Sequence, residues 1–440
     1  MQLNKKISHS LALATCGLLS NTAALPVHAE LLDDIKIDTA ILYYGETDRV
    51  QLVEGVINIS KDLGDQSIIN TKLVIDTLTG ASASGAVAQT QVQTFSRPSG
   101  YGYYNVDANQ TPLDDTFRDT RIQFSGNWIK PLSSDLRVNM GSNFSKEYDY
   151  LSVGANTSIE RDFFRKNTTI SAGTSLQYDS IDPVGGKPLP LASMFIPFSS
   201  ADDLEFLNGR DDDDKIDPAF AATRDGDSDD KTTVDLLFGL TQTINKRTLM
   251  QINYSYSEAT GYLNDPYKVV SRVDTSGTTQ DILYENRPDK RTKHSLFWQT
   301  KYALERGALD IAYRYSSDDW EIDSHTIESR LRVNLDDGSY WQPHIRFYHQ
   351  SAADFYQPFI IETETLPPYL SADYRLGEMS AYTIGIKYAG TLSNGHKWGV
   401  RAEYYQQNAK DIGVQRPGQL QDLDLYPSLQ AAILQFSYSW

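Results

Sequence analysis

Apolar and polar residues alternate with a period of two along most of this chain. In Thr248–Ser257, Met250, Ile252, Tyr254 and Tyr256 oppose Gln251, Asn253, Ser255 and Ser257. In Leu136–Ser145, Leu136, Val138, Met140 and Phe144 oppose Arg137, Asn139, Asn143 and Ser145. Ile122, Phe124 and Trp128 oppose Arg121, Gln123, Ser125 and Asn127, and Ile170, Ala172, Leu176 and Tyr178 oppose Thr169, Ser171, Ser175 and Gln177. This is the alternation of side chains across a β-strand. The pattern predicts strands near 36–45, 50–60, 67–79, 119–130, 136–147, 150–161, 168–178, 231–244, 248–260, 292–304, 308–319, 321–334, 340–350, 378–392, 396–407 and 428–440. The second and third alternate weakly.

Soluble sandwiches also alternate, but their strands are usually about five or six residues long. These run to about ten or more and carry aromatic residues near their ends: Trp128, Tyr178, Trp298, Tyr302, Tyr388, Trp398 and Tyr404. An apolar band between aromatic girdles fits a β-barrel in a membrane. Hydrocarbon offers no partner to a free N–H or C=O, so such a sheet must close on itself. The predicted fold is all-β: an antiparallel, up-and-down transmembrane barrel of about 16 strands, within 14 to 18.

Connection lengths set its orientation. After every second strand the turn is short: residues 61–64, 132–135, 165–167, 245–247, 305–307, 336–338 and 393–395, mostly Gly, Asn, Asp and Ser turn chemistry. All the long connections fall in the other class, at 80–118, 179–230, 261–291, 351–377 and 408–427. Outer-membrane barrels of Gram-negative bacteria have this asymmetry, with short periplasmic turns and long outer loops. The chain ends with Leu434, Phe436, Tyr438 and Trp440 on one face. Phe436, Tyr438 and Trp440 match an assembly signal of outer-membrane barrels, in which an alternating last strand ends on an aromatic.

The start of the chain fits that destination. Lys5 and Lys6 precede the apolar run Leu11–Leu19, and Val27-His28-Ala29 ends it like a cleavage site. Residues 1–29 read as a secretory signal and 30–440 as the barrel. The one Cys, Cys16, lies in the signal, which excludes disulfides, Cys-based metal sites and CxxCH haem attachment in the mature chain. The residues before Cys16 match a lipoprotein signal poorly. The chain has 40 basic and 58 acidic residues; without Lys5 and Lys6 the balance is 38 against 58, a net charge of −20. So acidic a chain is unsuited to grip nucleic-acid phosphates. The partners expected are outer-membrane lipid, lipopolysaccharide and the barrel assembly machinery.

The face opposite the apolar one carries both signs of charge: Arg121, Arg137, Glu160, Asp235, Asp310, Arg314, Arg330, Arg332, Lys387, Arg401 and Glu403. Their parity predicts a polar, lumen-lining set. They either select solutes through a transverse field or keep the wall hydrated and paired. The segment 80–118 either folds inward as a constriction, with Arg97, Asp114 and Asp115 lining it, or packs on its neighbours as an outer loop. Residues 202–231 hold 12 acidic and four basic residues, and Asp225, Asp227 and Asp229 have the D-x-D-x-D spacing of calcium loops. Asp230 takes the place of the loop's Gly and Leu236 that of its closing Glu, so an EF-hand is excluded. That leaves a loose Ca²⁺ site or a solvated loop. No HExxH or GxSxG motif occurs, and His344 and His349 have opposite parity. The sequence therefore reads as a non-enzyme without a cofactor of its own.

The run Leu73-Val74-Ile75-Asp76-Thr77-Leu78-Thr79-Gly80-Ala81-Ser82, with Gln93-Thr94-Phe95, Leu113-Asp114-Asp115-Thr116, and Leu42-Tyr43-Tyr44 followed by Asp48-Arg49, resembles the DUF3570 family. The resemblance implies an outer-membrane barrel with no catalytic residues to carry over. It also implies genetic company with a small periplasmic lipoprotein, a thioredoxin-like protein and a flavinylating transferase. From that company follows an expected link to extracytosolic redox traffic, with the barrel as a pore, or as a conduit or docking sheath for a flavinylated or thioredoxin-like partner. The alternative is an outer-membrane enzyme, or an adhesin or receptor built on the outer loops.

Overall fold

The computed structural model describes residues 35–196 and 218–440, apart from the side chains of 115–117. The signal segment 1–29, Cys16 and most of the acidic stretch before Pro218 lie outside the described residues.

Sixteen strands form a closed antiparallel barrel. They are β1 (Ile35–Glu46), β2 (Val50–Asp62), β3 (Ile68–Ala83), β6 (Leu113–Pro131), β7 (Leu136–Lys146), β8 (Tyr150–Phe163), β9 (Thr168–Ile181) and β10 (Asp229–Asn245) in the first half. The second half is β11 (Thr248–Gly261), β14 (Lys290–Leu304), β15 (Gly307–Asp318), β16 (Asp323–Asn334), β17 (Tyr340–Gln350), β19 (Met379–Thr391), β20 (Lys397–Ala409) and β21 (Leu429–Ser439). Neighbours in the wall follow chain order, and β1 pairs with β21 from Asp38↔Ser439 to Glu46↔Ala431. Closure leaves no edge strand, as a sheet in hydrocarbon requires.

The alternation read from the sequence becomes the two faces of this wall. Val234, Leu236, Phe238 and Leu240 of β10 are exposed outward, as are Ile345 on β17, Ile384 on β19 and Phe436 on β21. Exposed aliphatic and aromatic side chains in continuous rows make a surface for lipid, not water. Aromatics gather at the inner rim of that surface. Trp341 stacks on Tyr388, which meets Trp398 edge-on, and Tyr438 meets Trp440 edge-on. Phe436, Tyr438 and Trp440 all lie on this outward face, and the Trp440 N–H donates to Ile37 O at the seam.

Two strands run further than the alternation suggests. β3 reaches Ala83 and β6 begins at Leu113, because the ladder continues past Gly80↔Phe117 to Ser82↔Asp114, with a bulge between. Beyond the lipid band the period-two contrast fades, since neither face meets hydrocarbon there.

The seven connections at the inner end are two to five residues long. A barrel of sixteen strands spaced about 4.8 Å apart and tilted about 40° is roughly 30 Å across. A turn of this length cannot reach over such a mouth. At the outer end the long connections fold together into a cap. The first, 84–112, carries the hairpin β4 (Gln93–Ser96) and β5 (Tyr103–Val106). Strands β12 (Val269–Val273) and β13 (Thr279–Tyr284) come from the connection after β11, and β18 (Phe359–Ile361) from the one after β17. These three form a sheet in the order β13-β12-β18, with β12 and β18 parallel.

The cap has its own core. Phe95 is fully buried against Ala86, Val106, Val269 and Ile282. A second cluster joins Val87, Val273 and Phe359 to Leu420 and Leu423 of the last long connection. Each such side chain contributes about 1.5–3 kcal/mol on burial. The segment left with two readings in the sequence, 80–118, thus packs on its neighbours over residues 84–112. Gly85 makes this packing feasible: its φ is +101°, and a Cβ there would sit 2.4 Å from Val269 O.

Attachments on opposite sides of the ring place the cap across the mouth. Lys268 donates to Ser82 and Ala83 at the end of β3, and Tyr267 donates to Asp149 in the turn between β7 and β8. On the far side, Gln350 of β17 donates to Arg375 O and Gly377 O, and Trp320 between β15 and β16 packs on Phe355.

Candidate functional site

Beneath the cap lies a cavity of about 630 Å³. Its walls are the inward faces of β1, β2, β14–β17 and β19–β21, and Tyr374 of the cap is also among its lining residues. Register places the lining side chains in layers. Tyr44 stands opposite Leu52 and Ile433, and Tyr405 opposite Thr383 and Ala431. Ile433 is also opposite Glu403, so the Tyr44 row continues through Glu403, Gly385 and His344 to Arg330, and Tyr405 lies one row nearer the mouth.

His344 is the centre of a charged cluster. Its Nδ1 lies 2.9 Å from Glu403 Oε1, a hydrogen bond, and its Nε2 lies 3.2 Å from Glu328 Oε1, an ion-pair distance without good hydrogen-bond angles. Arg330 pairs with Glu328, and Arg401 lies 3.7 Å from Glu403. The imidazole thus joins two acid–base pairs across β16, β17 and β20. Two further guanidiniums line the same cavity. Arg314 lies over the Phe297 ring at 5.2 Å, and Arg346 near the Tyr348 ring at 5.9 Å.

The other predicted residues sit around the same inner wall. Arg121 donates to Asp76 at 2.7 Å and lies 3.7 Å from Glu54. Arg137 pairs with Glu160 at 2.7 Å and Asp162 at 2.9 Å. Asp235 accepts from Ser175, and Asp310 accepts from Gln299. Arg332 and Lys387 are nearer the inner end, both beside the Tyr340 ring. Of the eleven, Arg314, Arg330, Arg401 and Glu403 line the cavity. Arg97 turns back on its own hairpin, donating to Tyr103 O, and Asp114 stands opposite Ser82 in the wall; neither lines the cavity. The side chain of Asp115 lies outside the described residues.

Arg346, Glu328 and His344 were not among the predicted lining set. Parity alone could have found them, since Arg346 and His344 share a face of β17 and Glu328 shares one with Arg330.

Lys187 stands between two of the acidic residues with calcium-loop spacing, 3.4 Å from Asp225 and 2.7 Å from Asp229, while Asp227 is exposed. Elsewhere at the outer rim, carboxylates of Asp119, Glu147 and Asp149 converge.

The cap is pinned by a buried ionic network. Asp373 accepts from Arg375 and Arg287, Arg375 also reaches Asp265, and Arg287 pairs with Glu285. With Lys268 these six are three positive and three negative groups, all buried. Burial works to raise the Asp265 and Asp373 carboxyls, but Arg375 outweighs it, aided by Lys268 at Asp265 and Arg287 at Asp373, and holds both below the usual carboxylate range. Burial wins at Glu285, which is pushed up despite Arg287, and at Lys268, which is pushed down despite Asp265.

The family described as "protein of unknown function (DUF3570)" matches residues 8–440. No curated protein matches the chain. Among solved structures, a bacterial polysaccharide outer membrane secretin is similar at 8% identity over 93% of this chain and 100% of that one, with a TM-score of 0.42. The siderophore receptor PirA from Acinetobacter baumannii is similar at 8% identity over 86% of this chain, with a TM-score of 0.42; the chain spans 54% of that receptor's length. OccK3 from Pseudomonas aeruginosa is similar at 8% identity over 92% of this chain and 95% of that one, with a TM-score of 0.38.

Proposed function

The chain belongs to the DUF3570 family, and from that premise we propose that it is an outer-membrane pore for small polar solutes whose outer mouth is closed by its own folded loops. The observation that carries the reading is the cap itself. Connections from separate parts of the chain build one core over a charge-lined cavity, while the inner turns are too short to cover their end. A wall of paired Arg–Asp and Arg–Glu side chains keeps the bore hydrated, and a hydrated bore in a barrel of this size is a path for solute. Opening requires the cap to loosen as a unit, because its two clusters share strand β12.

Swelling of liposomes loaded with the full chain tests this. Wild-type protein admits arabinose slowly, and the Arg375→Met variant, which leaves Asp265 buried without its guanidinium, admits it at least tenfold faster. Equal, slow swelling for both, with the barrel folded in both, overturns the pore. A small periplasmic lipoprotein, or a flavinylated or thioredoxin-like protein, that blocked the variant's swelling from the inner side would make the bore a sheath for that partner.

A further inference from the structure

The cavity holds four carboxylates and four guanidiniums, yet its charges are not evenly matched. Glu328 and Glu403 are taken by Arg330, Arg401 and His344. Glu54 lies beside Arg121, which is drawn more closely to Asp76, and Glu46 accepts from the Tyr44 hydroxyl. Among the described residues, neither Arg314 nor Arg346 has a carboxylate oxygen within ion-pair distance. What each has is a ring, Phe297 and Tyr348 respectively. A ring orients a guanidinium without neutralising it.

Register brings these two arginines to one place. On the intervening β16, Arg314 stands opposite Thr326 and Arg346 opposite Glu328, two residues along. Strands two apart are separated by about 10 Å, and two arginine side chains can close on a group between them. Both are half-buried, so their charge acts in a medium less screening than open water. Tyr405 shares the row of Arg346 through Thr383, and Tyr44 lies one row further in. The Tyr44 and Tyr405 hydroxyls are engaged by Glu46 and Gln407, so these side chains offer ring surface to a guest, and Tyr374 adds more from the cap.

We propose that this cavity is a binding site for small aromatic carboxylates, the carboxylate held between Arg314 and Arg346 and the ring set against Tyr44, Tyr405 and Tyr374. The proposal deepens the pore reading by naming the solute class, and it rests on that reading for its biological sense. Guanidinium forks accept carboxylate and phosphate alike. The tyrosine surface is what favours a flat organic anion over an inorganic one, and a volume of about 630 Å³ is that of a small-molecule pocket.

Calorimetric titration of the folded full chain in detergent tests it, with 4-hydroxybenzoate, 4-hydroxybenzamide and inorganic phosphate as probes. The benzoate binds saturably, and the amide and phosphate bind at least tenfold more weakly. Arg314→Gln/Arg346→Gln weakens the benzoate at least tenfold, and Arg332→Gln, outside the cavity, leaves it unchanged. The comparison of benzoate with benzamide needs only wild-type protein, so a misfolded variant does not spare the proposal. Equal binding of acid and amide, phosphate binding as tight as benzoate, or an unaffected double variant that is folded overturns it. A barrel that conducts in bilayers but binds no benzoate overturns the site alone, and one that binds benzoate but never conducts overturns the pore alone.

Discussion

Nη2 of Arg375 lies 2.5 Å from a carboxylate oxygen of Asp265, joining the connection after β17 to the one after β11. The same guanidinium grips Asp373, and Asp373 is shared with Arg287. Removing one member of a buried pair leaves its partner charged and dry, which costs about 3–5 kcal/mol. Arg375→Met therefore loosens the cap while the wall, held by its own ladder, stays closed. Limited proteolysis reads this as faster cleavage within 262–289 and 351–378, with the heat-stable barrel band unchanged. Cleavage as slow as in the wild type would remove this network from the account of what holds the cap.

Acid should loosen the cap in the same way. Asp265 and Asp373 have carboxyls held below the usual range. Their folded state binds fewer protons than the unfolded one near pH 4, so their stabilisation is present above the ordinary carboxylate pKa of about 3.9 and is lost as pH falls through their folded values. Glu285, pushed up by burial, acts in the opposite sense and offsets part of this as pH rises above the ordinary glutamate range. The cap is then protease-resistant from about pH 6 to 8 and becomes cleavable below about pH 4. Hydrogen exchange of its amides against pH gives the same profile.

The two faces of the wall should respond oppositely to charge. Phe238 is 53% exposed on the outward face, and Ser158 lies on the inward one. Phe238→Arg is expected to cost about 2–4 kcal/mol if it lies near the bilayer midplane, and Ser158→Arg about 1 kcal/mol or less, since its guanidinium enters a wet bore. Equilibrium folding into vesicles across a urea series measures both. Equal costs would contradict the assignment of faces.

His344 should set the charge of the bore. It touches both Glu328 and Glu403, and His344→Ala leaves each with a single arginine partner. In a cap-loosened background this substitution raises cation over anion permeability, read as a shift of reversal potential in a salt gradient. The shift is largest in low salt, where fixed charges are least screened.

Much of this barrel is written in its strands one at a time. Most of the sixteen carry their own alternation, and short turns such as Asn394-Gly395 join the two strands of a hairpin, so local pattern suffices for wall, parity and inner face. Arg314, Arg401 and Glu403 were legible for that reason. The cap was not. β12 is buried at Val269, Val270 and Val273, so it shows no alternation, and its partner β18 has three residues and lies some ninety positions away. Asp265, Arg287 and Arg375 look like ordinary loop charges until tertiary contact buries them. The unmatched pair Arg314 and Arg346 depends on which carboxylates other residues occupy, a property of the whole bore rather than of any strand.

Single-channel recording in planar bilayers of the wild type beside Arg375→Met tests the central claim most directly. A capped, hydrated bore predicts a quiet wild type with rare openings and stepwise, long-lived current in the variant. A folded variant as silent as the wild type, or a wild type already fully open, would contradict it.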